Sequence, residues 1–132
     1  MPNVLRATVA GAAVLAGAQV LDMRLTHRPP SDAPERLIGQ IIRRPVPGWA
    51  RVGASYLSQS TIPLTIALVA DLARLQTFST RLKLAVTVSL GAGAVVDPVL
   101  GVCDLPWRWS RSDWVREVAL KSALAITTAA AL

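Results

Sequence analysis

The stretch 82–102, LKLAVTVSLGAGAVVDPVLGV, decides how the rest of the chain reads. Lys83 lies at its start and Asp97 near its end, and no charge falls between Leu84 and Val96. A helix of this length rises roughly 31 Å, about the thickness of a bilayer's hydrocarbon core. Thr87 and Gly91, and likewise Ser89 and Gly93, stand four residues apart. Such small-residue pairs share one helix face and let a second backbone come close. The segment closes on Asp97-Pro98-Val99-Leu100-Gly101, where a proline and a glycine loosen or end the helix.

Three further blocks read the same way. The first runs from Val4 to Leu21, with Arg6 near its start and Gln19 near its end. Ala13 and Gly17 form its small-residue pair, with Ala12 and Ala16 beside them. The competing reading of this block is a secretory signal, with Ala16-Gly17-Ala18 as an A-x-A-like cleavage site. The second span lies within 57–78. It has a polar opening, Ser58-Gln59-Ser60-Thr61, then Pro63, then an apolar core from Ile62 to Ala70. Pro63 removes one backbone donor, and nearby hydroxyls can satisfy the acceptor it leaves. The fourth span, 114–132, carries Arg116, Glu117 and Lys121 in its first half and is uncharged from Ser122 onward.

The connectors concentrate the charge. Between the first two spans, Arg28-Pro29-Pro30 stops any helix, and Asp32 followed by Glu35 marks a new start. Leu37, Ile38, Ile41 and Ile42 then recur at helical spacing among Arg36, Gln40, Arg43 and Arg44, until Pro45. This predicts a short basic amphipathic helix over 33–44, suited to the bilayer interface. Trp49, Tyr56, Trp107, Trp109 and Trp114 sit where amphipathic rings anchor at headgroup level. Ser110 or Ser112 can cap the last helix, with Asp113 and Glu117 in its first turns.

Composition agrees. Hydrophobic residues make up 52% of the 132-residue chain, charged residues 17%, and the mean hydropathy is +0.45. An average soluble domain carries about 25% charged residues, spread over every amphipathic element. The expected fold is therefore all-α: one integral membrane four-helix bundle over residues 1–132, with an amphipathic interfacial helix between helices 1 and 2. A soluble helical domain is the alternative fold. The net charge of +6 points to loops and lipid headgroups, because no nucleic-acid module accompanies it. Ten Arg or Lys residues flank the two longer loops against four on the other side, which predicts loops 22–56 and 103–113 in the cytoplasm.

Little chemistry is legible. The only histidine, His27, lies on the connector, and the only cysteine, Cys103, excludes an intramolecular disulfide or a multi-cysteine metal site. No nucleophile–base set, metal cluster or phosphate-binding loop is present, so no enzyme, metal or cofactor is expected. The informative residues are charges within the spans, which are costly in hydrocarbon and tend to be paired or functional. Asp97 and Lys121 fall at similar depth on antiparallel helices and predict an ion pair. Asp71 and Arg74, three apart, predict another.

Together, the small-residue first helix, Arg28-Pro29-Pro30-Ser31-Asp32-Ala33-Pro34 and the Gly/Ala-rich helix closing on Asp97-Pro98-Val99-Leu100-Gly101 resemble the YagU-like family of small bacterial inner-membrane proteins of unknown function. The resemblance implies a location and no defined activity. The Arg-over-Lys and Ala/Val bias suits a GC-rich bacterial genome. The expectation is a structural or interaction protein, with membrane lipids and a membrane-protein partner or second copy as its contacts. The rival expectation is a small transporter or channel subunit using Asp71 and Asp97.

Overall fold

The computed structural model describes residues 2–27, 33–101 and 104–132. The Arg28-Pro29-Pro30 break, the Asp32 cap and Cys103 lie outside the described residues. Every regular element among those described is helical: α1 (Pro2–Thr26), α2 (Ala33–Ile42), α3 (Arg51–Leu72), α4 (Phe78–Val99) and α5 (Arg111–Ala131). Within α4, Ala92–Val96 is wound as a π-helix. Short 3-10 turns at Gly48–Ala50 and Pro106–Arg108 lead into α3 and α5.

Local chemistry sets the ends. Thr77 caps α4 by accepting from the Thr80 amide at 3.3 Å. Ser110, rather than Ser112, caps α5 in a reciprocal box with Asp113. Two C-termini close in an unexpected way. Arg43 and Arg74 take left-handed backbone conformations, φ 54° and 52°. The following amides reach back to Gly39 and Ala70 (Arg44 N to Gly39 O, 3.2 Å; Leu75 N to Ala70 O, 2.9 Å). This is the Schellman closure, usually built on glycine. It corrects the expected second span: α3 stops at Leu72, and Phe78 belongs to α4. An arginine at the left-handed position gives the sequence no stop signal there.

α1 packs along both α3 and α5, α4 packs along α5 and α3, and α2 lies against α3. Neighbours run antiparallel. Val4 and Ala7 meet Ala67, and Gln59 Nε2 donates to Gln19 Oε1 at 2.7 Å toward the other end. The buried core is built largely of small residues. Ile66, Ala85, Ala125 and Ala129 form one cluster, and Val4, Ala7 and Ala67 another. Helices with such faces approach closely and gain dispersion contact rather than large apolar burial.

The faces that pack differ in part from those expected. On α1 the buried line is Val4, Ala7, Gly11 and Leu15, whereas Ala13 and Gly17 face outward. On α4, Ala85, Ser89 and Gly93 are buried, while Thr87 is exposed and Gly91 has open space where a side chain would be. Each helix offers several four-residue pairs, and tertiary contact selects one azimuth that spacing does not specify.

Two of the four long helices, Asn3–Thr26 and Phe78–Val99, are long and apolar enough to cross a membrane. Only 22% and 17% of their apolar stretches are buried within the protein, unlike the core helix of a soluble fold. α3 is less apolar because of its Ser58–Thr61 opening, and α5 because of Arg111, Asp113, Arg116, Glu117 and Lys121.

Candidate functional site

The densest chemistry lies where α4 crosses the first half of α5. Gly93 opens the crossing. A Cβ at that position would overlap Glu117 Oε1, with Glu117 Cδ at 3.1 Å and Lys121 Cε at 3.5 Å. The Glu117 carboxylate thus fills the space a side chain would have taken. Lys121 Nζ lies 3.7 Å from Glu117 Oε1. The two are i and i+4 on one helix, with the acid N-terminal, the better orientation for such a pair. Lys121 is only 9% exposed. An ammonium at that depth needs a partner, because an unpaired buried charge is strongly unfavourable.

The close partner is therefore Glu117, which corrects the expected Asp97–Lys121 ion pair. Asp97 is half-buried, but no ion-pair contact within 4 Å joins it to Lys121. The π-helical turn just before Asp97 explains the difference. It inserts a residue into the helical register, so side chains beyond it leave the face that regular periodicity assigns.

One residue before Glu117, Arg116 Nε reaches across to Asp22 of α1 at 3.3 Å, and its Nη1 lies 4.0 Å from Asp113. The charges in the first half of α5 thus connect this helix to α1 and to the face beside α4. Sequence spacing could have suggested Glu117–Lys121, since it is an i, i+4 pair. The Asp22–Arg116 bridge has no local signal, because it depends on the docking of α1.

Among the described residues, the opposite end holds no comparable cluster. Asp71 and Arg74 are exposed, and they are linked through backbone, Arg74 N to Asp71 O at 3.0 Å, with no side-chain ion pair between them. Arg74 is at the left-handed closing position, which turns the chain away from the i, i+3 geometry of a continuing helix. Arg6 donates to the Ala131 carbonyl at 2.9 Å and Arg81 to the Leu75 carbonyl at 2.9 Å. A shallow recess of about 180 Å³ lies among Asn3, Asp71, Arg74 and Arg81.

All four tryptophans belong to the Asp97 end. Trp49 and Trp107 are 88% and 77% exposed. Trp109 packs on Trp114 with centroids 5.0 Å apart, and its Nε1 donates to the Asp104 carbonyl.

No protein-family model, curated protein or solved structure matches this chain. Its function must therefore be read from its own residues. Among the described residues, no three His, Cys, Asp or Glu side chains gather as a metal site. His27 is exposed at the end of α1. Ser110, the serine beside an acid, uses Asp113 for capping. Between the Glu117–Lys121 pair and the Asp71 end lies the apolar cluster Ile66, Ala85, Ala125 and Ala129, with the buried hydroxyls of Ser89 and Thr128 on the same helices. What the cluster can do chemically is hold α4, α5 and α1 in fixed register.

Proposed function

We propose that this chain is a multi-pass protein of the bacterial inner membrane, in which α1, α3, α4 and α5 lie side by side across the bilayer and serve a structural or interaction role. The observation that carries this reading is the exterior. Leu5 and Val9 of α1, Leu68 and Leu72 of α3, Val95 and Val99 of α4, and Val118 and Ile126 of α5 are all exposed. Large contiguous apolar patches are rare on soluble monomers, and all four long helices here expose large aliphatic side chains. Six hydroxyls are satisfied within their own helices, as a lipid environment favours. Those of Thr8, Ser60, Thr61, Thr65, Thr87 and Thr128 each donate to the carbonyl four residues back. α3 and α5, at 22 and 21 residues, match the length of the two more apolar helices. The paired charges of α5 make its first half tolerable beside headgroups.

On this reading the Trp-bearing end, with the connector 22–56 and the loop 103–113, faces the cytoplasm. The small residues left outside the core, Ala13 and Gly17 on α1 and Thr87 and Gly91 on α4, lie on faces turned toward lipid or a partner helix. The chain would stand beside the YagU-like proteins in location. The apolar cluster between the two polar ends argues for helix organisation over a transport route through Asp71 and Asp97.

The test is extraction and purification in mild detergent, with identification of co-purifying proteins and lipids. Membrane pelleting that resists alkaline carbonate, together with a stoichiometric partner or a defined homo-oligomer, is the expected result. A stable monomer in buffer without detergent would overturn the reading.

A further inference from the structure

The surface around α2 is unexplained by helix packing. Arg36 and Gln40 stand four apart on one face of α2, and Arg43 follows just past the helix end. The left-handed turn at Arg43 and the Arg44 N to Gly39 O bond fold the chain back over the helix end. Arg36, Arg43 and Arg44 line one open groove of about 490 Å³, together with Gly39, Gln40 and Pro45. Among the described residues, no acidic side chain lines it. Arg43 and Arg44 are exposed and make no ion pair among the described residues. Beside them, Ile41 is 64% and Ile42 51% exposed, and Trp49 follows on the same end of the protein.

We propose that this groove holds the phosphate headgroup of an anionic phospholipid, with its acyl chains along Ile41 and Ile42. The proposal rests on the membrane reading above and names a ligand for it. Guanidinium groups pair with phosphate in a planar, bidentate fashion, so two adjacent arginines form a matched site. A free phosphate accounts for the arginines alone. A lipid accounts for the arginines and for two large isoleucines left in the open beside them. An amphipathic helix with basic residues next to exposed aliphatic ones lies at the depth where headgroup and acyl chain meet.

The test uses the full chain purified in a neutral detergent, with bound molecules counted by native mass spectrometry. Phosphatidylglycerol, phosphatidylcholine and inorganic phosphate are titrated separately. Phosphatidylglycerol is expected to bind in preference to the other two. The double variant Arg43→Gln/Arg44→Gln is expected to lose about tenfold in phosphatidylglycerol affinity, with unchanged unfolding temperature in the absence of lipid. Arg108→Gln/Arg111→Gln, at the other exposed basic loop, is expected to bind as the wild type does. Equal binding of phosphatidylcholine, equal binding of inorganic phosphate, or wild-type affinity in the Arg43/Arg44 variant would each overturn the lipid site. Those failures differ from failure of the membrane reading, in which the chain would be soluble and monomeric with no detergent at all.

Discussion

Two glycines make two close helix crossings, and they admit different chemistry. At Gly11, α1 comes against α3 and α5 together. A Cβ there would overlap Thr128 Oγ1, fall 2.7 Å from Pro63 Cβ and lie 3.2 Å from Leu124 Cδ1. Pro63 and Thr128 are fully buried, and the Thr128 hydroxyl is already spent on the Leu124 carbonyl. At Gly93, the space is taken by the end of a flexible, charged side chain, Glu117, paired to Lys121. The first crossing is a rigid apolar fit around a proline ring. The second is an electrostatic one that can yield. The difference shows how one substitution, loss of a Cβ, serves either shape or charge, depending on what the facing helix supplies.

The sharpest way to break the comparison is to restore side chains at both positions. Gly11→Val should be the most damaging change in the molecule. Neither a proline ring locked to its backbone nor a buried threonine can move aside, and α1 must back away from α3 and α5 together. Overpacking of this kind costs about 3 kcal/mol or more. Thermal unfolding in detergent, followed by circular dichroism, should show a large drop in midpoint or no folded protein. A near-normal midpoint would mean that α1 is not seated as described.

At the second crossing, the charges rather than the shape carry the larger effect. Glu117→Ala leaves Lys121 buried without its partner and should destabilise by about 1–3 kcal/mol. Replacing both, as Glu117→Leu/Lys121→Met, removes the unpaired charge and should recover most of that loss, since apolar pairs of similar volume commonly match a buried ion pair. If the double variant is as unstable as the single one, the pair is not what fastens α4 to α5. Gly93→Ala comes next, at about 1 kcal/mol, because the Glu117 carboxylate can swing out while its contact with Lys121 weakens. The same alanine at Gly11 should cost clearly more.

Much of this architecture is legible in the sequence, and the reason lies in which quantities spacing encodes. Helix length and depth follow from rise per residue, so the long helices and the short α2 ending before Pro45 were predictable. Capping of α5 by a serine with an acid three residues on follows from local geometry. Azimuth is different. Ala13–Gly17 and Ala7–Gly11 are equally good small-residue pairs by composition, and only the docking of α3 and α5 selects the second. The loosening next to Pro98 is legible, but the π-turn at Ala92–Val96 that rotates Asp97 out of the expected pairing is not given by spacing. The Asp71–Arg74 pairing was read from helical spacing, but the helix closes at Leu72 through a left-handed arginine. The arginine groove at α2 depends on a similar closure at Arg43, which no glycine announces.

The smallest prediction sharpens the contrast by reversing its sign. Gly17 lies on α1 only six residues from Gly11, and Gly91 on α4 two residues from Gly93, yet a Cβ at either outer position meets nothing within 4 Å. With no contact to lose, the remaining effect is the unfolded-state entropy that alanine removes and glycine keeps. Gly17→Ala and Gly91→Ala should each stabilise the folded protein by about 0.5–1 kcal/mol. Measured beside Gly11→Ala and Gly93→Ala under the same conditions, the four alanines separate helix propensity from helix contact. Destabilisation at Gly17 or Gly91, with the protein still monomeric, would assign them an intramolecular contact. Destabilisation only in the presence of a second copy or partner would place that contact between chains. The sign at these two positions therefore distinguishes a face turned to lipid from a face turned to protein.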